Sequence, residues 1–280
     1  MRAFSQSQAL IAESVLLDSR LALFHEQEKW LAIADLHFGF ELSQRLAGRL
    51  VPLWGMKSIE SRLSQLLRDY RPATLILLGD LVHDKNGARE FFSLVTRLRE
   101  QCDVVLLAGN HDTQIKRLRA DLRDSFTTDR FEFHHGDCER EQNGRIQIIG
   151  HFHPAATLHD GAGLRLKFPA LVQESGCWIL PAFSPWAPGT EWIEREQGRI
   201  WLCTPNRILL VDPEGLLGIE QSCQSGSDLD ANLNGRAAIV SPSLAERPIY
   251  LGPDAAEITR AMRTTRRLDW NCHGAGRTIL

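Results

Sequence analysis

Five short segments of the chain combine metal-binding side chains with glycine or with one another. In chain order they are Asp35-Leu-His37, Gly79-Asp80-Leu-Val-His83, Gly109-Asn110-His111-Asp112, His134-His135-Gly136-Asp137 and Gly150-His151-Phe-His153. Seven of the ten histidines of the chain lie in these segments. Such a concentration of imidazole, carboxylate and amide groups is typical of a metal centre, and it predicts a metal-dependent hydrolase.

The donor types narrow the choice of metal. The segments offer oxygen and nitrogen donors without a thiolate, which favours Mn, Fe, Zn or Co over Mg and Ca, since the latter two prefer oxygen ligands. About seven ligands are too many for one tetrahedral zinc, but they suit two ions roughly 3.5–4 Å apart. One ligand must then bridge the ions. We predict that Asp80 does so, because a carboxylate offers two oxygens.

Largely apolar runs directly precede three of the segments. These runs, residues 30–34, 73–78 and 104–108, have the pattern of buried strands. Because the carboxyl ends of successive parallel strands meet at one edge of a sheet, we expect the side chains that follow them to converge there.

Each segment alone also has an ordinary structural explanation. Asp112 could cap a helix that starts at Thr113, and His83 could be a loop histidine. Gly150-His-Phe-His-Pro could be a strand end with two histidines facing solvent. These explanations would have to hold for all five segments at once. Ionisable groups crowded at one sheet edge would then cost several kcal/mol without a cation, which favours metal binding.

The five segments resemble the motifs of the calcineurin-like metallophosphoesterase superfamily, whose order is DxH, GDxxH or GDxxD, GNHD, HG and GHxH. This resemblance covers about residues 30–155. A finer resemblance, over roughly residues 8–212, is to the small bacterial ligase-associated DNA-damage-response endonucleases, which are related to SbcD-type nuclease subunits. The segments that carry it are Phe38-Gly-Phe, Arg45-Leu-Ala-Gly48, Val51-Pro52, Gly150-His-Phe-His-Pro154 and Leu180-Pro-Ala-Phe183.

The resemblance implies a fold and two sets of metal ligands. The fold would be an α/β sandwich of four layers, in which two packed mixed β-sheets are flanked by helices. One metal would be bound by Asp35, His37, Asp80 and His153. The other would be bound by Asp80, Asn110, His135 and His151.

The resemblance also implies roles for residues next to the ligands. His111 would face the scissile phosphate as proton donor or charge stabiliser, and Asp112 would orient it. His83 stands where the family often has a histidine that contacts phosphate or supports a ligand. His134 and His135 would point to opposite faces of a strand, so only one is expected to bind metal. We choose His135 because it precedes Gly136, as in the family motif.

Composition is that of an ordinary globular enzyme. The chain has 280 residues, of which 43% are hydrophobic, enough for one sizeable core. Its net charge of −3 excludes the strong basic field of a non-specific DNA-coating protein. The six cysteines form no C-x-x-C pair, which indicates reduced thiols. No apolar run approaches ~18 residues, and Glu13 interrupts the candidate signal sequence, so we predict a cytoplasmic protein without a membrane partner.

The periodicity predicts a β-α-β-α-β unit followed by a second sheet. Helices are expected around residues 59–67 and 91–98, because apolar residues recur there at helical spacing. The predicted strands are 8–12, 21–25, 30–34, 73–78, 104–108, 146–149, 178–181, 191–194, 199–203 and 208–211.

We predict a catalytic domain over residues 1–217 and a C-terminal extension over 218–280. The extension starts like a linker and contains a candidate helix at 255–270. Its arginines could contact DNA or a partner, although a solvated tail or a short packed helix explains them more simply. They are Arg260, Arg263, Arg266 and Arg267.

Two groups of basic residues lie closer to the motifs. Lys116, Arg117, Arg119 and Arg123 are best explained as the wet face of a helix. The other group is Arg45, Arg49 and Lys57. Of these, Arg45 is a candidate for substrate binding, because it lies in a segment that resembles the nuclease branch.

We therefore expect a two-metal phosphodiesterase, with manganese as the first choice of metal, that acts as a nuclease on DNA in repair. Three alternatives remain. The same site could serve a small-molecule phosphatase or nucleotide phosphodiesterase. The chain could be a non-catalytic scaffold on this fold. It could also be a nuclease that is active only in a complex with a DNA ligase, helicase or exonuclease.

Overall fold

The computed structural model describes residues 5–116, 121–159, 165–192, 198–211 and 217–218. Seven of its strands form a first sheet in chain order. They are β1 (Gln8–Ala12), β2 (Val15–Asp18), β3 (Ala22–His25), β4 (Trp30–Ala34), β5 (Thr74–Leu78), β6 (Asp103–Leu107) and β7 (Leu122–Arg123).

The direction of the strands divides this sheet into two parts. Strands β1 to β4 form an antiparallel meander, whereas β4 to β7 are parallel neighbours. Helices α1 (Phe40–Leu46) and α2 (Gly55–Tyr70) connect β4 to β5, and α3 (Ala88–Arg99) connects β5 to β6. A short helix, α4 (Thr113–Lys116), follows β6. The predicted β-α-β-α-β unit is present, so the carboxyl ends of β4, β5 and β6 share one edge.

The spacing of apolar residues explains the two long helices. Helix α2 buries Ile59, Leu63, Leu66 and Leu67, which recur every three or four residues along one face. It ends where Arg71 takes a left-handed conformation and donates its N–H to the carbonyl of Leu67. In α3 the buried residues Phe91, Leu94, Val95 and Leu98 form the equivalent face.

The second sheet contains the remaining strands. Its order is β17-β16-β15-β12-β13-β10-β9-β8, with β11 paired to β12 and β14 paired to β11. Strands β9, β10 and β13 are parallel, and β12 is antiparallel to its neighbours. The bounds are β8 (Phe126–Thr127), β9 (Phe131–His134), β10 (Ile146–Ile149), β11 (Pro154–His159), β12 (Arg165–Glu174), β13 (Cys177–Ile179), β14 (Thr190–Glu191), β15 (Arg199–Thr204), β16 (Arg207–Val211) and β17 (Leu217–Gly218).

Alternate residues of the second sheet pack into two separate cores. Trp178 faces the large core shared with the first sheet, whereas its neighbour Ile179 joins a smaller cluster on the opposite face. In the large core, Trp30 of β4 packs edge-on against Phe131 of β9 at 5.3 Å. The predicted fold of two packed mixed sheets flanked by helices is confirmed. In the described ranges every helix is part of a connection between two consecutive strands of the first sheet.

Several strands differ from the predicted ones. Strand β2 was not predicted, because its apolar run, Val15 to Leu17, is short and ends at Asp18, a residue type that favours turns. Strand β12 was also not predicted, because it contains Pro169 and proline is uncommon inside strands. In the structure this proline lies opposite Ala155 of β11. The strand expected at 191–194 is Thr190–Glu191, and residues 193–197 lie outside the described residues.

The predicted C-terminal extension, with its arginines, lies outside the described residues apart from Gly218, as do Arg117 and Arg119. The boundary between residues 217 and 218 therefore stays a prediction. None of the helices in the described ranges is long and apolar enough to cross a membrane.

Candidate metal centre

The seven predicted metal ligands follow the ends of five strands. Asp35 and His37 follow β4, Asp80 follows β5, and Asn110 follows β6. The first sheet thus supplies four of the side chains. The second sheet supplies the others: His135 follows β9, whereas His151 and His153 follow β10.

The first group of ligand atoms belongs to Asp35, His37, Asp80 and His153. All four residues place one donor atom within 4.8 Å of the others. The Nε2 atoms of His37 and His153 lie 3.4 Å apart. Nε2 of His37 is 3.7 Å from Oδ2 of Asp80, and Nε2 of His153 is 3.5 Å from Oδ1 of Asp35.

The second group belongs to Asp80, Asn110, His135 and His151. Oδ1 of Asn110 lies 3.0 Å from Nε2 of His135 and 3.1 Å from Nδ1 of His151. Nε2 of His135 is 3.4 Å from Oδ1 of Asp80. The two oxygens of Asp80 therefore face different groups, Oδ2 toward His37 and Oδ1 toward His135.

The chemistry of these atoms fits divalent metal ions. Imidazole nitrogens face one another across each group, and carboxylate oxygens converge on the same points, which is unfavourable without a proton or cation between them. A metal ion at each group would compensate the converging lone pairs.

The backbone at the ligands is in an uncommon conformation. Asp35, His37, Asp80, His151 and His153 all have positive φ angles, between 43° and 69°. Positive φ angles are uncommon for residues other than glycine, although asparagine, aspartate and histidine adopt them more often than the rest, and such residues cluster at functional sites. The surrounding structure must therefore stabilise these five residues in place.

Backbone hydrogen bonds between the loops provide this stabilisation. The N–H of His37 donates to the carbonyl of Asp80 at 2.8 Å, and that of Phe38 donates to the carbonyl of Leu81 at 3.0 Å. The N–H of His151 donates to the carboxylate of Asp35, at 3.0 Å to its Oδ2. The loops of the two sheets are thus bound directly to each other at the ligands.

Asp112 stabilises the same loops, which differs from its expected role. Its carboxylate accepts the backbone N–H groups of Gly109, Leu81 and Val82 at 2.9–3.2 Å. Burial raises its pKa to about 6, and these three donors oppose the rise only in part. Among the described contacts it makes no hydrogen bond to the His111 ring. It acts on the His111 segment through the backbone.

His111 and His83 lie beside the first group. The rings of His37 and His111 are 5.1 Å apart, and those of His83 and His111 are 5.9 Å apart and nearly parallel. The backbone N–H of His111 donates to Oδ1 of Asp80 at 3.0 Å. His111 is exposed, so its ring is accessible from solvent. Burial lowers the pKa of His83, which is half-buried.

The adjacent histidines 134 and 135 have different surroundings. His135 lies in the second ligand group, whereas Nε2 of the buried His134 lies 3.4 Å from Oε1 of Gln147. The structure therefore brings His135, and not His134, to the other ligands. Arg45 is exposed in the last turn of α1 and forms no hydrogen bond or ion pair with a ligand in the described residues.

The pKa of His37 favours metal binding. Burial lowers it to about 3; the Asp80 carboxylate opposes this effect, while His153 and His111 add to it. The ring is therefore neutral at neutral pH, with a lone pair available to a metal. Burial likewise lowers the pKa of His151. In His153, burial is outweighed by the hydrogen bond and charge of Asp35, so its pKa is raised.

Sequence reasoning missed residues that surround the histidines. Phe40 packs against the ring of His83 at 4.8 Å, and Trp186 packs on Phe40 at 5.4 Å. The buried Glu41 accepts the indole N–H of Trp186 at 3.0 Å. Phe40 belongs to the Phe38-Gly-Phe segment, but nothing in the sequence places Trp186 beside it.

The comparison with known families decides the identity of the fold. A model of the calcineurin-like phosphoesterase family matches residues 29–171, more than half of the chain. The chain belongs to the calcineurin-like phosphoesterase family. The matched region includes all five motifs, so the ligand groups described above are in the segment that defines this family of metal-dependent phosphoester hydrolases.

A solved structure shows the same fold. The nuclease MPE of Pseudomonas putida is 24% identical with a TM-score of 0.55, covering 68% of this chain and 92% of that one. The phosphoesterase YfcE of E. coli is 15% identical with a TM-score of 0.34, over 66% and 88%. Vps29 of Chaetomium thermophilum is 13% identical with a TM-score of 0.32, over 68% and 91%. A search of the curated proteins finds no match.

Proposed function

We propose that this calcineurin-like phosphoesterase binds two metal ions and hydrolyses phosphodiester bonds of nucleic acid, with DNA as its substrate. The observation that carries the proposal is the position of Asp80. Its two carboxylate oxygens face two separate ligand groups, one with His37 and one with His135. A carboxylate shared in this way suits a pair of ions that act on the two sides of one phosphoryl group.

The two ions would activate water and stabilise charge on the phosphoryl oxygens. The first would be held by Asp35, His37, Asp80 and His153, and the second by Asp80, Asn110, His135 and His151. Manganese suits these nitrogen and oxygen donors, and iron, zinc and cobalt are the alternatives. His111, which is exposed beside His37, would stabilise the transition state or protonate the leaving oxygen. Such a role is typically worth ~10²–10⁴-fold in rate.

The charge around the ligands supports a diester as the substrate. A monoester dianion needs additional positive charge, whereas a diester carries a single charge. In the described ranges no lysine or arginine side chain forms a hydrogen bond or ion pair with any of the seven ligands. None of the five motif segments contains a lysine or arginine, and the nearest along the chain, Lys85, is exposed in a short turn two residues after His83.

DNA repair is the proposed context, on the resemblance to ligase-associated endonucleases. The net charge of −3 suggests modest affinity of the isolated chain for DNA, with a strong dependence on salt. A DNA ligase, helicase or exonuclease is the proposed partner, and the cytoplasm the proposed location. Arg45 is retained as a candidate contact to the DNA backbone.

The test is hydrolysis by metal-stripped protein after manganese is added back. Four substrates are compared: single-stranded DNA, duplex DNA, bis-p-nitrophenyl phosphate and p-nitrophenyl phosphate. We expect kcat/KM to be higher for single-stranded DNA and for bis-p-nitrophenyl phosphate, which are both diesters, than for the monoester p-nitrophenyl phosphate. A higher kcat/KM for the monoester would identify a phosphatase. Absence of metal binding and of turnover would identify a scaffold.

A further inference from the structure

A continuous row of aromatic rings leads away from His111. The ring of His83 lies 5.9 Å from that of His111 and 4.8 Å from that of Phe40. Phe40 stacks on Trp186 at 5.4 Å with an interplanar angle of 26°, and Trp186 lies 4.9 Å from Trp54. These separations are typical of direct ring contact. We call Phe40, Trp186 and Trp54 the aromatic row.

The middle ring of the row is held rigidly. Glu41 accepts the indole N–H of Trp186 at 3.0 Å and the backbone N–H of Met56 at 2.7 Å. Its carboxylate is buried, so both bonds are needed to offset the loss of water. A Cβ on Gly55 would lie 2.1 Å from Nε1 of Trp186, so the indole ring fits directly against the backbone there. The position of Trp186 is therefore set in advance of any binding.

The outer end of the row is exposed. Trp54 is 46% exposed, and it follows a segment with other large apolar side chains that contribute little to the core. Residues 46–54 contain four of the seven exposed large hydrophobic residues in the described part of the chain. A concentration of this kind marks a surface that binds something.

The charge of the same segment indicates an anionic ligand. Residues 42–58 include three cations and no aspartate or glutamate, in a chain whose net charge is −3. Arg45, Arg49 and Lys57 are all exposed. A protein surface that combines stacked aromatic rings with arginine and lysine has the two features that bind single-stranded nucleic acid, namely base stacking and phosphate contact. A protein partner that bound only the exposed leucines of residues 46–54 would not require these cations.

We propose that the aromatic row is a stacking platform for the unpaired bases of a nucleic acid strand whose phosphate lies at the metal ligands. This inference rests on the proposed function and names the residues that would select single strands. Trp54 would stack on an unpaired base, Trp186 and Phe40 would keep the platform rigid, and Arg45, Arg49 and Lys57 would contact phosphates. In a duplex the base faces are covered by their neighbours, so the platform would favour unpaired strands.

The test compares Trp54→Ala, Trp54→Phe and the control Leu10→Ala in the full-length, metal-loaded protein. Leu10 is 50% exposed, close to the value for Trp54, and lies outside the aromatic row. Binding is measured by fluorescence anisotropy with a labelled oligothymidylate and with a strand of equal length that lacks bases. A His111→Gln background slows cleavage during the titration, and gels verify that the strands are intact.

We expect Trp54→Ala to weaken oligothymidylate binding by roughly fivefold or more and to leave binding of the baseless strand unchanged. Trp54→Phe should restore most of the affinity, and Leu10→Ala should have no effect. Equal weakening for both strands, or none, would overturn the proposal. So would unchanged DNA binding together with a change in oligomeric mass by light scattering, which would identify a protein interface.

The binding assay does not depend on turnover. If the wild-type protein fails to hydrolyse bis-p-nitrophenyl phosphate, the proposed function is wrong, yet the difference between the two strands still decides whether the aromatic row binds bases. If hydrolysis occurs but Trp54→Ala changes the binding of both strands equally, the aromatic row does not bind bases, and the proposed function is unaffected.

Discussion

A Cβ atom on Gly79 would lie 2.2 Å from Nδ1 of His135, and 2.4 Å from the Cγ of the same ring. The two residues come from different sheets, since Gly79 follows β5 and His135 follows β9. Gly109 has a similar relationship to Asp80, whose Oδ1 would be 2.4 Å from an added Cβ. The glycines of these motifs are therefore explained by the close approach of ligand side chains to the backbone.

Replacement of Gly79 by alanine should displace His135 and lower the metal content of the second group. The matched control is Gly144→Ala. Gly144 also has a positive φ, 82°, but an added Cβ would meet nothing within 4 Å. In both variants an alanine must adopt the unfavourable left-handed backbone conformation, whereas only in Gly79→Ala does the added Cβ clash with the ring of His135. Metal analysis should show loss in Gly79→Ala alone, and equal metal content in the two would contradict this reading of the contact.

Asp80→Asn should lower metal occupancy of both groups. The substitution keeps Oδ1, which accepts the N–H of His111, but it removes the negative charge and the second oxygen that faces His37. Asn110→Ala is the control, because Asn110 contacts only His135 and His151 among the ligand side chains. Elemental analysis should find one site weakened in the control and two in Asp80→Asn. Two metals retained per chain in Asp80→Asn would contradict the bridge.

His111→Gln should separate chemistry from metal binding. His111 lies outside the two ligand groups that contain Asp80, and its exposed ring is placed to meet a substrate. We expect both metals to be retained and kcat with bis-p-nitrophenyl phosphate to fall by ~10²-fold or more. Metal loss in parallel with activity would instead make His111 a ligand.

The raised pKa of Asp112 gives a pH dependence with a definite sign. Burial raises this pKa from 3.8 to about 6 in the folded chain. The contribution of Asp112 to stability is therefore fully present below about pH 3.8 and is lost as the pH rises through about 6. The free energy of unfolding in urea should be measured for the metal-free wild-type protein and for metal-free Asp112→Asn. The difference between the two should decline between about pH 3.8 and about pH 6 and stay constant above that range. A difference that grows with pH would show that the carboxylate is instead stabilised in its charged form.

The sequence predicted those parts of the site that follow strands directly. Asp35, Asp80 and Asn110 come just after apolar runs that form β4, β5 and β6, so their convergence follows from the parallel order of these strands. The fold prediction succeeded for the same reason, because the helix and strand periodicities alternate over this region. Strand β2 was missed because its apolar run of three residues is short and ends at Asp18, which favours a turn.

The other contacts of the site depend on loop conformation. Asp112 reaches the backbone of Leu81 and Val82, about thirty residues earlier in the chain, and no local pattern indicates this bond. The five positive φ angles at the ligands are also not predictable from the sequence, because residue type alone does not indicate which aspartates and histidines adopt a left-handed backbone. Trp186 contacts Phe40 from the loop after β13, and its place depends on how the two sheets dock.

The division of the ligands between two sheets has a consequence for biosynthesis. The chain is made from its N-terminus, so Asp35, Asp80 and Asn110 leave the ribosome before His135, His151 and His153. Neither group of ligands has all its members until β9 and β10 have been made and have docked against the first sheet. The complete set of ligands would therefore form only when the second sheet docks, and an ion bound after that step would stabilise the contact between the two sheets.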